Sequence, residues 1–187
     1  MGLALVPLLL STLLGGRWMA GRGRTVSGAV VVVWLLFLPN APYLLTDLIH
    51  LQPTPVMPQW FDVLLYFSCG WNGLLLYYLS LFDVQYFLAA RYSHGVRWPW
   101  IGGVFVLSGF GVYVGRYLRL NSWDVFSNPL LVLNDIATAL VNPLYWLRIV
   151  GMTFGYGLFL ALGYLVLREL MRGERGVMGN DTVRPSS

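Results

Sequence analysis

The chain reads as an all-α membrane protein: a polytopic helix bundle of about five transmembrane helices, with an amphipathic or re-entrant helix near 129–141. Three observations predict this class. Hydrophobic residues make up 57% of the 187 and charged residues only 11%, against about 25% charged in a soluble domain. Mean hydropathy is +0.66. The apolar residues also fall in blocks of spanning length, at about 2–16, 26–45, 60–82, 98–118 and 144–167. So little charge cannot clothe a water-facing surface, so the solvent of this chain is largely lipid.

The first block, up to Gly16, is short for a span, which takes about 20 residues. It lacks a basic leader and an Ala-x-Ala site, and Arg17, Arg22 and Arg24 follow it rather than precede it. That order predicts a retained helix with its N-terminus outside, not a cleaved signal. The second block ends irregularly at Phe37-Leu-Pro-Asn-Ala-Pro-Tyr43. Pro39 and Pro42 each remove a backbone donor, and carbonyls freed inside a membrane need protein or water as partners. Either a kinked helix end or a broken helix lining a cavity satisfies that demand.

The third block carries Asn72 between Gly70 and Gly73, read as a buried interhelical amide. Asp83 and Arg91, near its end, read as interfacial. The fourth runs from Trp98 through Gly111-x-x-x-Gly115 to Arg116 and Arg119. Residues 124–143 come next. Asn128-Pro129 looks like a helix N-cap with a first-turn proline, and Asn134, Asp135 and Thr138 fall together among leucines. Asn142-Pro143 stops that helix, which is short for a span and is expected on or in the membrane surface; a sixth span is the rival and ranks lower, since it would put the four tail arginines outside. The fifth block carries Gly151-x-x-x-Gly155; both glycine pairs have the spacing for close helix approach. Trp60, Trp98, Trp100, Trp123 and Trp146 sit at block ends as an aromatic belt. One membrane-embedded domain over 1–172 is expected, followed by a disordered polar tail over 173–187.

Loop charge sets orientation. The basic residues are 12 arginines with no lysine. They concentrate in the first loop, the third loop and the tail, while Thr46–Gln59 has none and carries three prolines. Arginine-rich segments stay cytoplasmic. The N-terminus is therefore placed outside and the C-terminus in the cytoplasm, with the cytoplasmic membrane as the location. The net charge of +4 then reflects topology and contact with anionic lipid, not nucleic-acid binding.

Arg116 and Arg119 are the exceptions to the charge rule. They close an apolar stretch at its outer end, where an uncompensated arginine is costly. As α-helical residues three apart they share a face. At similar depth come Asp47 and His50 after block two, Asp62 opening block three, Arg148 one turn into block five, and Asn40, Asn121, Asp124 and Asp135. Four carboxylates (Asp47, Asp62, Asp124, Asp135) thus meet three arginines (Arg116, Arg119, Arg148). Mutual pairing, holding helix ends together, is one account of the cluster. A ligand site is the other, since the guanidinium fork suits phosphate and carboxylate. The candidate ligand-binding residues are Asn40, Asp47, His50, Arg116, Arg119, Asn121, Asp124 and Arg148.

Asp47 and His50, at i and i+3, have the spacing of a histidine with its orienting carboxylate and are the candidate acid–base pair of an enzyme. One histidine makes a poor zinc site. Cys69 is the single cysteine, so no internal disulfide can form. No phosphate loop, nucleophile elbow, zinc-protease or dinucleotide motif occurs. No metal and no cofactor is expected.

The strings Leu38-Pro-Asn-Ala-Pro-Tyr43, Thr46-Asp-Leu-Ile-His-Leu51 and Gly115-Arg-Tyr-Leu-Arg-Leu-Asn-Ser-Trp-Asp124 resemble those of a bacterial integral-membrane family, domain of unknown function 1361, over nearly the whole chain. The resemblance implies a small polytopic protein of the bacterial inner membrane and carries no catalytic assignment. Membrane lipids are the expected partners, with an anionic ligand at the outer cluster. Three functions follow: binding of an anionic lipid headgroup or small anion; a membrane-embedded enzyme acting on a lipid or lipid-linked substrate; or a structural or partner-binding subunit. A pocket beneath the cluster favours the first two, and tightly packed ion pairs favour the third.

Overall fold

A computed structural model of the chain describes residues 2–15, 24–46, 58–90 and 93–181. Every regular element among them is helical: α1 (Gly2–Gly15), α2 (Arg24–Phe37), α3 (Asn40–Thr46), α4 (Gln59–Ala89), α5 (His94–Tyr113), a π-helical turn (Val114–Leu118), α6 (Asp124–Ser127), α7 (Pro129–Val141) and α8 (Pro143–Asp181). The protein is a helical membrane bundle. Four stretches are long and apolar enough to cross a bilayer: Val26–Thr46, Gln59–Ala89, Gly95–Leu118 and Pro143–Arg172. Only 22–39% of each apolar window is buried inside the protein, so most of each span is left for lipid. α1 is apolar but has 14 residues, about 21 Å of helix, and joins the bundle as a shorter element. α7 matches the short helix expected near 129–141.

Local sequence explains the boundaries. Pro129 and Pro143 occupy first-turn positions, where the missing N–H costs nothing. Asn142 separates α7 from α8, and its Oδ1 accepts the Leu144 N–H at 3.1 Å, capping α8. Asn128, at the N-cap position of α7, makes no side-chain capping bond. The break between α2 and α3 falls at Leu38-Pro39, where Pro39 brings no N–H to the ladder.

Two groups of helices build the bundle. α1 packs on α4 and α2, and α5 packs extensively on α8. α3 is wedged between α4 and the α5–π-turn segment. Glycines make that wedge possible. A Cβ on Gly73 would lie 2.5 Å from the Ala41 carbonyl oxygen, and one on Gly70 would lie 2.8 Å from the Leu45 side chain. Across the wedge, Gly111 meets the Pro39 ring and Gly115 the Tyr43 ring. The Gly111/Gly115 spacing therefore admits the proline-broken segment rather than a straight helix.

Buried polar bonds tie the groups together. Trp34 Nε1 donates to Ser80 Oγ at 2.6 Å, Tyr77 Oη to Ser108 Oγ at 3.0 Å, and Tyr78 Oη to the Leu160 carbonyl at 3.2 Å. Trp34 and Trp100 stack with ring centroids 5.9 Å apart. Toward the far end of the bundle, Ser11 Oγ donates to Asp83 Oδ2 at 3.0 Å, and the Arg168 guanidinium lies 4.5 Å above the Trp98 ring.

Three expectations are corrected by this packing. The glycines at the α5–α8 crossing are Gly109, against the Thr153 carbonyl, and Gly157, against Phe105; Gly151 and Gly155 face open space. A helix has many faces, and spacing alone does not say which one meets a neighbour. Asn72 is exposed and donates to the Ser68 carbonyl of its own helix at 2.8 Å rather than across an interface. Asp83 links α4 to α1 by accepting from Ser11. Trp100 packs on Trp34, while Trp60, Trp98, Trp123 and Trp146 are exposed.

Candidate functional site

One end of the bundle gathers the break at Leu38-Pro39, the π-turn, α6, α7 and the start of α8. The break leaves carbonyls without α-helical partners, and two side chains take them up. Asn40 Nδ2 donates to the Phe37 carbonyl at 3.0 Å and to Ser122 Oγ at 2.8 Å. Ser122 Oγ in turn donates to the Leu36 carbonyl at 2.8 Å. The broken helix thus faces protein, as its freed backbone requires. Asn40 is committed to fastening the break to the segment after the π-turn. Ser122 was not foreseen as its partner; its only sign in the sequence is its place between Asn121 and Asp124.

Arg116 sits half-buried in the π-turn, with its charge in Coulombic reach of the Tyr156 hydroxyl. Arg119 is exposed and ends the π-turn in the left-handed conformation, at φ 56°. The two arginines therefore do not stack along one α-helical face as their spacing suggested. Arg116 lies in a π-turn and Arg119 in a left-handed stop, so the regular α-helical turn that would set both on one face is absent here. Left-handed backbone is unfavourable for a residue with a Cβ, by about 1–2 kcal/mol. Asn121 is exposed, and its N–H donates to Asp124 Oδ2 at 2.6 Å. Asp124 returns its own N–H to the Asn121 carbonyl at 3.0 Å, so this carboxylate closes a turn.

Arg148 lies on α8 beside a cleft of about 410 Å³. Tyr113 and Tyr117 from α5 and the π-turn, Asp135 and Thr138 from α7, and Tyr145 with Arg148 from α8 line it, over a floor of Leu118 and Ala139. The Tyr113 and Tyr117 rings stack at 5.3 Å, and Arg148 lies within Coulombic reach of the Tyr113 hydroxyl. Below the cleft, Tyr113, Ala139 and Ile149 form a small buried cluster. No salt bridge joins Arg119 or Arg148 to a carboxylate among the described residues. The tyrosines escaped the sequence reading, although Tyr113-x-x-x-Tyr117 and Tyr145-x-x-Arg148 have the spacing of same-face pairs.

The structure thus joins Asn40 to the Asn121–Asp124 turn through Ser122, and Arg148 to Asp135 through one cleft. Arg116 and Arg119 flank Tyr117 of that cleft along the chain. Asp47 and His50 lie outside the described residues. Among the described residues no three His, Cys, Asp or Glu side chains gather. What the cleft offers chemically is one guanidinium, several hydroxyls and one carboxylate on an apolar floor, a set suited to holding an anion with its hydroxyl or amine substituents. No curated protein and no solved structure matches the chain. A model of one family, described as protein of unknown function (DUF1361), matches residues 1–161, and with the strings around Asn40, Asp47 and Arg116 inside that span, the chain belongs to this family.

Proposed function

We propose that the protein binds an anionic group in the cleft beside Arg148: the phosphate or carboxylate of a lipid headgroup, or a small anion. One observation carries this function. Arg148 lines a cleft of about 410 Å³ with Tyr113, Tyr117, Tyr145 and Thr138, and no carboxylate among the described residues neutralises it by a salt bridge. A guanidinium at a membrane interface with several hydroxyl donors beside it attracts phosphate or carboxylate, each charge-assisted bond contributing roughly 1.5–3 kcal/mol. Asp135 accepts from hydroxyl or ammonium groups on the same ligand. Arg116 and Arg119 extend the positive rim. Asp47 and His50, immediately after α3 in sequence, are proposed to complete it, with Asn40, Asn121 and Asp124 holding the backbone that carries the arginines.

The arginine-bearing loops and the tail belong in the cytoplasm and the cleft outside, at the cytoplasmic membrane of a bacterium. An outside N-terminus requires α1 to cross, which local bilayer thinning around a short helix permits.

Native mass spectrometry of the detergent-purified protein tests the proposal. Wild type should carry a phosphate- or carboxylate-bearing adduct, and Arg148→Gln should lose it by roughly tenfold or more at unchanged melting temperature. Arg116→Lys should weaken retention too, because lysine keeps the charge without the bidentate fork. An Arg148→Gln protein that retains as much adduct as wild type would refute the role of the cleft.

A further inference from the structure

We infer that the anion arrives on an acyl chain: the cleft and a groove running down α8 hold the head and tail of one lipid. This rests on the anion-binding role of Arg148. The groove measures about 360 Å³ and is lined by Leu45 from α3 and by Gly151, Met152, Gly155, Tyr156 and Phe159 from α8. At 100° per residue, Arg148, Gly151, Met152, Gly155 and Phe159 fall on one face of that helix. Met152 connects the two sites, since it also packs on the Tyr113–Ala139–Ile149 cluster beneath the cleft.

The two glycines are the decisive feature. Helix packing in this bundle consumes Gly109 and Gly157, whereas a Cβ on Gly151 or Gly155 would meet nothing within 4 Å. Their missing side chains open the groove rather than admit a neighbouring helix. In a bilayer the material that fills such a groove is an acyl chain. Length agrees: the eleven helical steps from Arg148 to Phe159 rise about 16 Å, against about 15 Å for one leaflet of a hydrocarbon core. A free anion has no use for the groove; a lipid needs both parts. The occupant is therefore a lipid with an anionic headgroup, seated with its phosphate or carboxylate at Arg148 and one chain over Gly151 and Gly155.

The test fills the groove without touching the cleft. Gly151→Leu and Gly155→Leu project into open space, and Gly102→Leu, also open but on α5, controls for added bulk. Each variant is reconstituted in nanodiscs of phosphatidylcholine doped with phosphatidylglycerol, then extracted and weighed by native mass spectrometry. Binding of inorganic phosphate is measured in parallel. Gly151→Leu and Gly155→Leu should retain at least about tenfold less phosphatidylglycerol than wild type and Gly102→Leu, with unchanged melting temperature and unchanged phosphate binding. Equal retention by Gly155→Leu and wild type would overturn the groove assignment, even if Arg148→Gln abolishes retention and so upholds the anion site. Phosphate binding with no lipid retained by wild type would also overturn it and leave a free-anion site. Loss of neither lipid nor phosphate in Arg148→Gln would sink the anion role itself.

Discussion

Replacing Gly73 by alanine should damage the bundle far more than one methyl group suggests. The new Cβ would lie 2.5 Å from the Ala41 carbonyl oxygen, where carbon and oxygen normally stay about 3.3 Å or more apart. The obstacle is backbone, so relief requires α3 to move by close to 1 Å. Overpacking of this kind costs about 1–3 kcal/mol. The displacement also reaches Asn40, next to Ala41, whose bond to Ser122 helps satisfy the carbonyls freed at Pro39. Leaving one such buried group unsatisfied costs about 1–3 kcal/mol more. The combined loss of about 2–6 kcal/mol corresponds to a fall in melting temperature on the order of 10 °C. Gly102→Ala is the matched control: its Cβ meets nothing within 4 Å, and the higher helix propensity of alanine favours it by up to about 1 kcal/mol. Thermal unfolding of both variants in the same detergent, followed by circular dichroism, measures the difference. If Gly73→Ala melts with Gly102→Ala and wild type, the clamped wedge does not hold α3, and the account of the break at Pro39 fails with it.

Further outcomes follow from the same contacts. Arg119→Gly should raise stability, because glycine adopts φ 56° without the penalty of about 1–2 kcal/mol, while reducing bound anion; a lower melting temperature would show that the arginine side chain holds structure instead. Ser122→Ala removes the donor to the Leu36 carbonyl and the acceptor of Asn40, and should cost about 1–3 kcal/mol in unfolding experiments; a neutral result would mean that water takes over both bonds. Reporter fusions after residues 52 and 175 should give opposite signals, since arginine-free Thr46–Gln59 and the arginine-bearing tail belong on opposite sides; equal signals would reject the orientation.

Much of this protein is decided by local composition. The apolar blocks that become α2 with α3, α4, α5 with its π-turn, and α8 are visible because lipid solvation acts residue by residue along each segment. Pro129 and Pro143 mark two helix starts because proline acts on its own backbone. The demand that the break at Pro39 find partners also follows from covalent structure alone. Which groups answer that demand does not. Ser122 meets Leu36 across 86 positions, and only the docking of α3 between α4 and the π-turn brings them together. Nor does the spacing of glycines disclose that Gly109 and Gly157 pack while Gly151 and Gly155 stay open, because that depends on how α8 is rotated against α5. Arg116 and Arg119 appear as an α-helical same-face pair, but the backbone there is a π-turn ending in a left-handed residue. Tyr113, Asp135 and Arg148 share a cleft only because α5, α7 and α8 pack against one another there. Hydropathy and backbone chemistry belong to each residue, and so are written in the chain; pairings, rotations and clefts are relations between distant segments, which exist only once the helices have packed.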